Sequence, residues 1–190
     1  MKKRICIDPG HGGNQPGAVY RGLLEKDVVL DVAQYAAEGL RALDPELWVG
    51  LTRDFDKTLT LQDRCVFSYN MKVDAFVSIH CNADPDDDSP GQPEAKGEEI
   101  WICNGSLEGL KLAQCLATEV DHVFPDEPLR GIKRSNVLYV LKHTEAPACL
   151  IELGFIDKSS SVETFTDELT LRKIGALVAR GIHGYLGGLK

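Results

Sequence analysis

A chain of 190 residues and 20.9 kDa has room for one domain with a sizeable core, but not for two large lobes. Hydrophobic residues make up 43% and charged residues 26%, and no apolar run approaches the ~20 residues that span a bilayer, which argues against membrane insertion. With 29 Asp and Glu against 21 Lys and Arg, the net charge of −8 argues against a nucleic-acid partner, because phosphate binding rests on clustered cations.

The opening MKKRICIDPG has basic residues but no apolar stretch before Asp8 and Pro9, so it reads as a first strand and not as an export signal. Arg4–Asp8 is that strand. Glu25–Leu40 places Val28, Val32, Ala36 and Leu40 on one helical stripe. Leu47–Thr52 reads as a strand and Leu61–Asn70 as a helix. Ala75–Ile79 and Glu99–Cys103 are buried strands. Leu107–Val123 is helical by the spacing of Leu110, Ala113, Leu116, Ala117 and Val120. Val137–Leu141 and Cys149–Ile151 read as two further strands. Thr170–Leu186 is a closing helix with Leu171, Ile174, Leu177, Val178, Ile182 and Tyr185 inward. This alternation, without repeats or low-complexity linkers, predicts a single α/β domain over residues 1–190. Its mostly parallel twisted sheet has about six strands, with helices on both faces.

Six cysteines, at 6, 65, 81, 103, 115 and 149, include no C-x-x-C pair, and they read as reduced core thiols. The loop Asn82–Gly97 holds Asp84, Asp86 and Asp88 at the spacing that opens a calcium loop. Ser89 and Ala95 stand where that loop needs Gly and Glu, so a solvated loop is the better reading.

Three apolar strands run straight into polar residues that a strand does not need. Arg4–Asp8 leads into Pro9-Gly10-His11-Gly12-Gly13, Ala75–Ile79 into His80-Cys81-Asn82, and Cys149–Ile151 into Glu152-Leu153-Gly154. Ligand sites in open α/β sheets form outside the carboxyl ends of strands, so His11, His80 and Glu152 can converge there. Glu25 adds a carboxylate at the start of the first helix. A hydrolytic zinc needs three ligands of the His/His/carboxylate kind and an open position for water, with a separate carboxylate to move protons. On that basis His11, Glu25 and His80 are assigned to one Zn2+ and Glu152 to the proton work. The glycines around His11 let the backbone turn tightly enough for the imidazole to reach the ion.

Blander readings apply elsewhere. His122, His143 and His183 lack carboxylate partners at strand ends and read as surface or hydrogen-bonded residues. Glu25 alone could be a first-turn carboxylate favoured by the helix dipole. Glu152 resists such a reading, because a charge directly after a buried run seldom goes unpaired. The loop after the first strand has Gln15 where a dinucleotide fingerprint needs Gly, and no Walker A or G-x-S-x-G motif occurs. His80 and Cys81 are strand neighbours and point to opposite faces, so they do not form a nucleophile pair.

The ordered blocks Ile7-Asp8-Pro9-Gly10-His11-Gly12-Gly13, Pro16-Gly17-Ala18, Glu25-Lys26-Asp27, Leu51-Thr52-Arg53-Asp54, Leu61 with Arg64, Ser78-Ile79-His80 with Asn82, and Ile151-Glu152-Leu153-Gly154-Phe155-Ile156 cover nearly the whole chain. Together they resemble the zinc-dependent N-acetylmuramoyl-L-alanine amidases of the Amidase_3 type. The resemblance implies a peptidoglycan hydrolase that cuts the amide between the lactyl group of N-acetylmuramic acid and L-alanine of the stem peptide. It also implies zinc on His11, Glu25 and His80, and catalysis by Glu152. Arg64 and Asn82 match family positions whose role, in fold or in substrate binding, stays open. Cys81, Val29 and Asp157-Lys158 depart from the family pattern without touching a proposed ligand. Some relatives carry an inhibitory helical insertion, and Asp121–Asn136 is too short for it, so an uninhibited site is expected.

Two other activities fit the same residues: a zinc peptidase cutting within the stem peptide, and an inactive wall-binding module. A monomeric catalytic domain acting on muropeptide without a separate wall-binding domain is expected. It would reach the wall as an endolysin or autolysin after release, or by export with its signal removed.

Overall fold

The computed structural model of the chain describes residues 2–84, 95–123 and 129–187, apart from the side chains of 121–123, 159 and 160. In chain order its elements are β1 (Arg4–Pro9), a small hairpin of β2 (Val19–Tyr20) and β3 (Leu23–Leu24), α1 (Glu25–Leu43), β4 (Trp48–Leu51), α2 (Leu61–Met71), β5 (Ala75–Asn82), β6 (Glu99–Cys103), α3 (Leu107–Val123), β7 (Ile132–Ser135), α4 (Tyr139–His143), β8 (Ala148–Phe155), α5 (Ser159–Thr166) and α6 (Glu168–Gly187). Six strands form one sheet in the order β4-β1-β5-β8-β6-β7. β4, β1, β5 and β8 run parallel. β6 is antiparallel to β8, and β7 is parallel to β6.

Successive side chains on a strand face opposite ways, and here both faces are covered. Ile5, Ile7, Val77, Ile79, Cys149 and Ile151 pack with α1, α3 and α6 in the larger core. The intervening Cys6, Phe76, Ala148 and Leu150 meet Cys65 of α2 and Val140 and Leu141 of α4 in a smaller one. Burial on both faces explains why these strands read as continuous apolar runs. No disulfide joins the six cysteines, and Cys81 packs in the larger core on the face opposite His80.

Val137–Leu141, read from the sequence as a strand, is corrected to an entry turn and the helix α4. Ser135 starts that turn, its Oγ accepting the N–H groups of Val137 and Leu138 at 3.1 and 3.3 Å. Only Val140 and Leu141 of the run are buried, while Val137 is 88% exposed, which is a helical pattern hidden in a β-branched sequence. The sixth strand is Ile132–Ser135, which sequence reading missed. It pairs only with β6, at the sheet edge, so Lys133 and Arg134 remain out of the core and no apolar run marks it. The β2–β3 hairpin and α5 were also missed.

Candidate active site

β1 ends at a buried carboxylate that organises the turn after it. Asp8 is fully buried and accepts hydrogen bonds from Thr52 Oγ1 at 2.5 Å, Arg64 Nη1 at 2.7 Å and Ser78 Oγ at 2.7 Å. Arg64 is delivered by α2, whose first turn is set by a capping box between Thr60 and Asp63. From there it also donates to the carbonyls of Pro9 at 2.7 Å and His11 at 2.6 Å. The structure thus gives Arg64 a holding role in the fold. His11 sits at the crest of this turn with φ +55, a left-handed conformation that a residue with a side chain seldom adopts.

Glu25, at the start of α1, is 3% exposed and stands between the two imidazoles. Its Oε2 lies 3.1 Å from His11 Nε2 and its Oε1 lies 3.0 Å from His80 Nδ1. Backbone N–H groups hold the same oxygens: Ala18 donates to Oε2 at 2.9 Å and Cys81 to Oε1 at 2.9 Å. Burial alone would raise the Glu25 pKa, but the hydrogen bonds and charges of His11 and His80 outweigh it and hold the carboxyl well below the usual carboxylate range. For His80, burial lowers the pKa, and contact with Glu25 overturns that and raises it.

Two glycines make room for this packing. A Cβ at Gly10 would stand 2.3 Å from His80 Cε1, and one at Gly17 would stand 2.4 Å from Glu25 Oε2. The expectation that glycine supplies the turn at His11 is therefore refined, since His11 itself takes the left-handed conformation and Gly10 leaves space for the second imidazole.

His80 and Glu152 lie within the carboxyl-terminal halves of their strands and do not follow them, because β5 runs on to Asn82 and β8 to Phe155. They are register partners on adjacent strands. Glu152 Oε2 is buried without a hydrogen-bond partner among the described residues. Burial pushes the Glu152 pKa up to about 7, a rise that His80 opposes and the Glu25 and Glu99 charges reinforce. Glu99, its partner on β6, is itself held by Arg130 and Lys133, each at 2.6 Å.

His11, His80 and Glu152 share a cleft of about 400 Å³ with Asp8, Arg64 and Gln15. The apolar part of its lining comes from Leu61, Leu150 and the segment Val137–Val140.

His11, Glu25 and His80 each offer one donor atom, all within 4.8 Å of one another, so this group could hold a metal ion. The donor set, two imidazoles and a carboxylate, is that of hydrolytic zinc with an open position. His143 instead stacks on Tyr139 and bonds its carbonyl at 2.9 Å, and the His122 side chain lies outside the described residues. Asn82 accepts the N–H of Ala83 with its side chain and that of Ile156 with its carbonyl, securing the end of β5. Most of the acidic loop, residues 85–94, lies outside the described residues, as does part of Asp121–Asn136. Asp8 was missed as a residue of the cleft, and its sequence signal was a charge embedded in an apolar strand.

The family model for N-acetylmuramoyl-L-alanine amidase, Amidase_3, matches residues 5–184. The chain is 31% identical over 186 residues to the endolysin of Bacillus phage SPP1, a match covering 96% of this chain and 65% of that protein. It is 32% identical over 181 residues to the N-acetylmuramoyl-L-alanine amidase LytC of Bacillus subtilis (strain 168), covering 95% of this chain and 35% of that longer one. The solved structure of the N-acetylmuramoyl-L-alanine amidase AmiC2 of Nostoc punctiforme aligns with a TM-score of 0.88 at 30% identity, covering 98% of both chains. Agreement that runs from the first strand into the last helix places this chain in the Amidase_3 family of N-acetylmuramoyl-L-alanine amidases, which are peptidoglycan hydrolases.

Proposed function

We propose that this chain is a zinc-dependent amidase that cleaves the lactyl–L-alanine amide of peptidoglycan, with one zinc held by His11, Glu25 and His80 and with Glu152 as the proton carrier. The observation that carries this reading is the convergence of His11 Nε2 and His80 Nδ1 on the two oxygens of Glu25, in a cleft that also holds Glu152. Bound zinc supplies a Lewis acid that polarises a carbonyl and acidifies water.

The remaining work falls to the chain's own groups. The Ala18 and Cys81 N–H groups keep the Glu25 carboxylate from rotating away from the imidazoles. Glu152, with one carboxyl oxygen unpartnered among the described residues, takes a proton from the attacking water as the oxygen adds to the lactyl carbonyl carbon. When the C–N bond breaks, Glu152 returns the proton to the departing amine of L-alanine. The lactyl group leaves as a carboxylic acid. The apolar wall of Leu61, Leu138 and Leu150 gives the substrate a face that excludes water.

Metal analysis of the purified chain, with mass spectrometry of sacculi digested in the presence and absence of chelator, tests this reading. One zinc per chain and a new amino terminus at L-alanine are expected, both abolished by chelator. A new terminus further along the stem peptide would replace the amidase with a peptidase, and zinc uptake without turnover would leave a wall-binding module. We also propose that the chain meets the wall after release or export. In keeping with that, no helix among the described residues is long and apolar enough to cross a membrane.

A further inference from the structure

We propose that Arg53 is a positioning residue for the metal centre, tying the backbone beside His11 to the backbone beside Glu25. The inference rests on the metal reading above. Arg53 is wholly buried, and each of its hydrogen bonds among the described residues goes to a backbone carbonyl. Nε donates to Pro9 at 3.1 Å, and Nη2 donates to Gly10 at 2.7 Å and to Lys26 at 2.7 Å. Pro9 and Gly10 immediately precede His11, and Lys26 immediately follows Glu25. One planar group therefore spans two ligand segments that are far apart in the sequence.

The fold brings Arg53 there through its neighbour. Thr52 donates its backbone N–H to the Ile7 carbonyl at 3.1 Å and its hydroxyl to Asp8, which registers the end of β4 beside the end of β1. Arg64 is not equivalent, because its bonds reach Asp8, Pro9 and His11 but nothing on α1. Arg53 Nη1 is buried with no hydrogen-bond partner among the described residues. Lysine cannot substitute, because its donors share one nitrogen while these acceptors are met by two.

The test compares zinc affinity, by competition with a chromophoric chelator, in metal-stripped wild type, Arg53→Lys and Arg41→Lys. Arg41 is the control for an arginine-to-carbonyl tie outside the site, since its Nη2 bonds the Val49 carbonyl at 2.8 Å and so ties α1 to β4. Arg53→Lys is expected to weaken zinc binding by ~10–100-fold, the range for partners that orient ligands, while Arg41→Lys stays within twofold of wild type. Urea unfolding of the metal-free proteins, run in parallel, separates lost stability from lost affinity. An Arg53→Lys affinity within twofold of wild type overturns the proposal, however much its unfolding midpoint drops. If that variant does not fold, neutral Arg53→Gln is read in the same way. Failure of both to fold even in excess zinc marks Arg53 as a residue of the fold alone and also overturns it. Wild type that takes up no zinc fails the metal reading itself, a separate result.

Discussion

Glu152→Gln separates the energetic and catalytic consequences of one buried carboxyl. In the metal-free fold this group titrates at about 7, against an ordinary 4.5, because burial disfavours its charge. The folded chain therefore holds the proton more tightly than the unfolded chain. The stability that follows is fully present below 4.5 and is lost as pH rises through 7. At 1.36 kcal/mol per pH unit the difference comes to roughly 3 kcal/mol, or nearer 2 with partial solvent access. Gln keeps the shape and removes the charge. Metal-free Glu152→Gln is thus expected to lie within about 1 kcal/mol of wild type at pH 5 and to exceed it by about 2–3 kcal/mol at pH 8. Urea unfolding at pH 5, 6, 7 and 8, followed by the fluorescence of Trp48 and Trp101, measures this. The zinc-loaded variant should retain one metal and lose ~100- to 10,000-fold in turnover, the usual contribution of a general acid–base group. A stability gap that does not widen with pH would refute the buried-carboxyl account, and turnover near wild type would refute the proton-carrier role.

Asp8→Asn strips the charge from the Arg64 partner and leaves a buried guanidinium unpaired. A loss of about 3–5 kcal/mol is expected, only partly recovered in Asp8→Asn/Arg64→Met because the Pro9 and His11 carbonyls then lose their donor, and a single-mutant loss below about 1 kcal/mol in thermal or urea unfolding counts against the ion pair. Gly10→Ala sets a methyl carbon against the His80 ring, at 2.3 Å from Cε1 before relaxation. Zinc affinity should fall ~10–100-fold with little change in metal-free stability, and unchanged affinity in chelator competition would show that His80 has other room. Zinc and protons compete for the imidazoles, and Glu25 raises the His80 pKa. The apparent Kd should therefore weaken as pH falls from 8 to 6, by about tenfold per pH unit for each proton displaced. A flat Kd across that range would remove His80 from the ligand set.

Read alone, the sequence determined the α/β class and most element positions, and it named four polar residues that the structure brings together. Strands buried on both faces must be apolar throughout, so a charge or imidazole ending such a run stands out, as His80 and Glu152 do. It also determined the helical stripes of α1 and α6, whose one-sided burial follows a period of 3.6. Other features were decided only by tertiary structure. β7 borders solvent and carries no apolar signature, while the apolar run 137–141 turned helical after a turn set by Ser135, with only two of its residues reaching the core. The holding groups Asp8, Arg53 and Arg64 act on carbonyls and side chains as many as 70 residues away, and no local pattern encodes a partner at that distance. The order of the strands brings those atoms together, and it also lets two distant imidazoles close on one carboxylate.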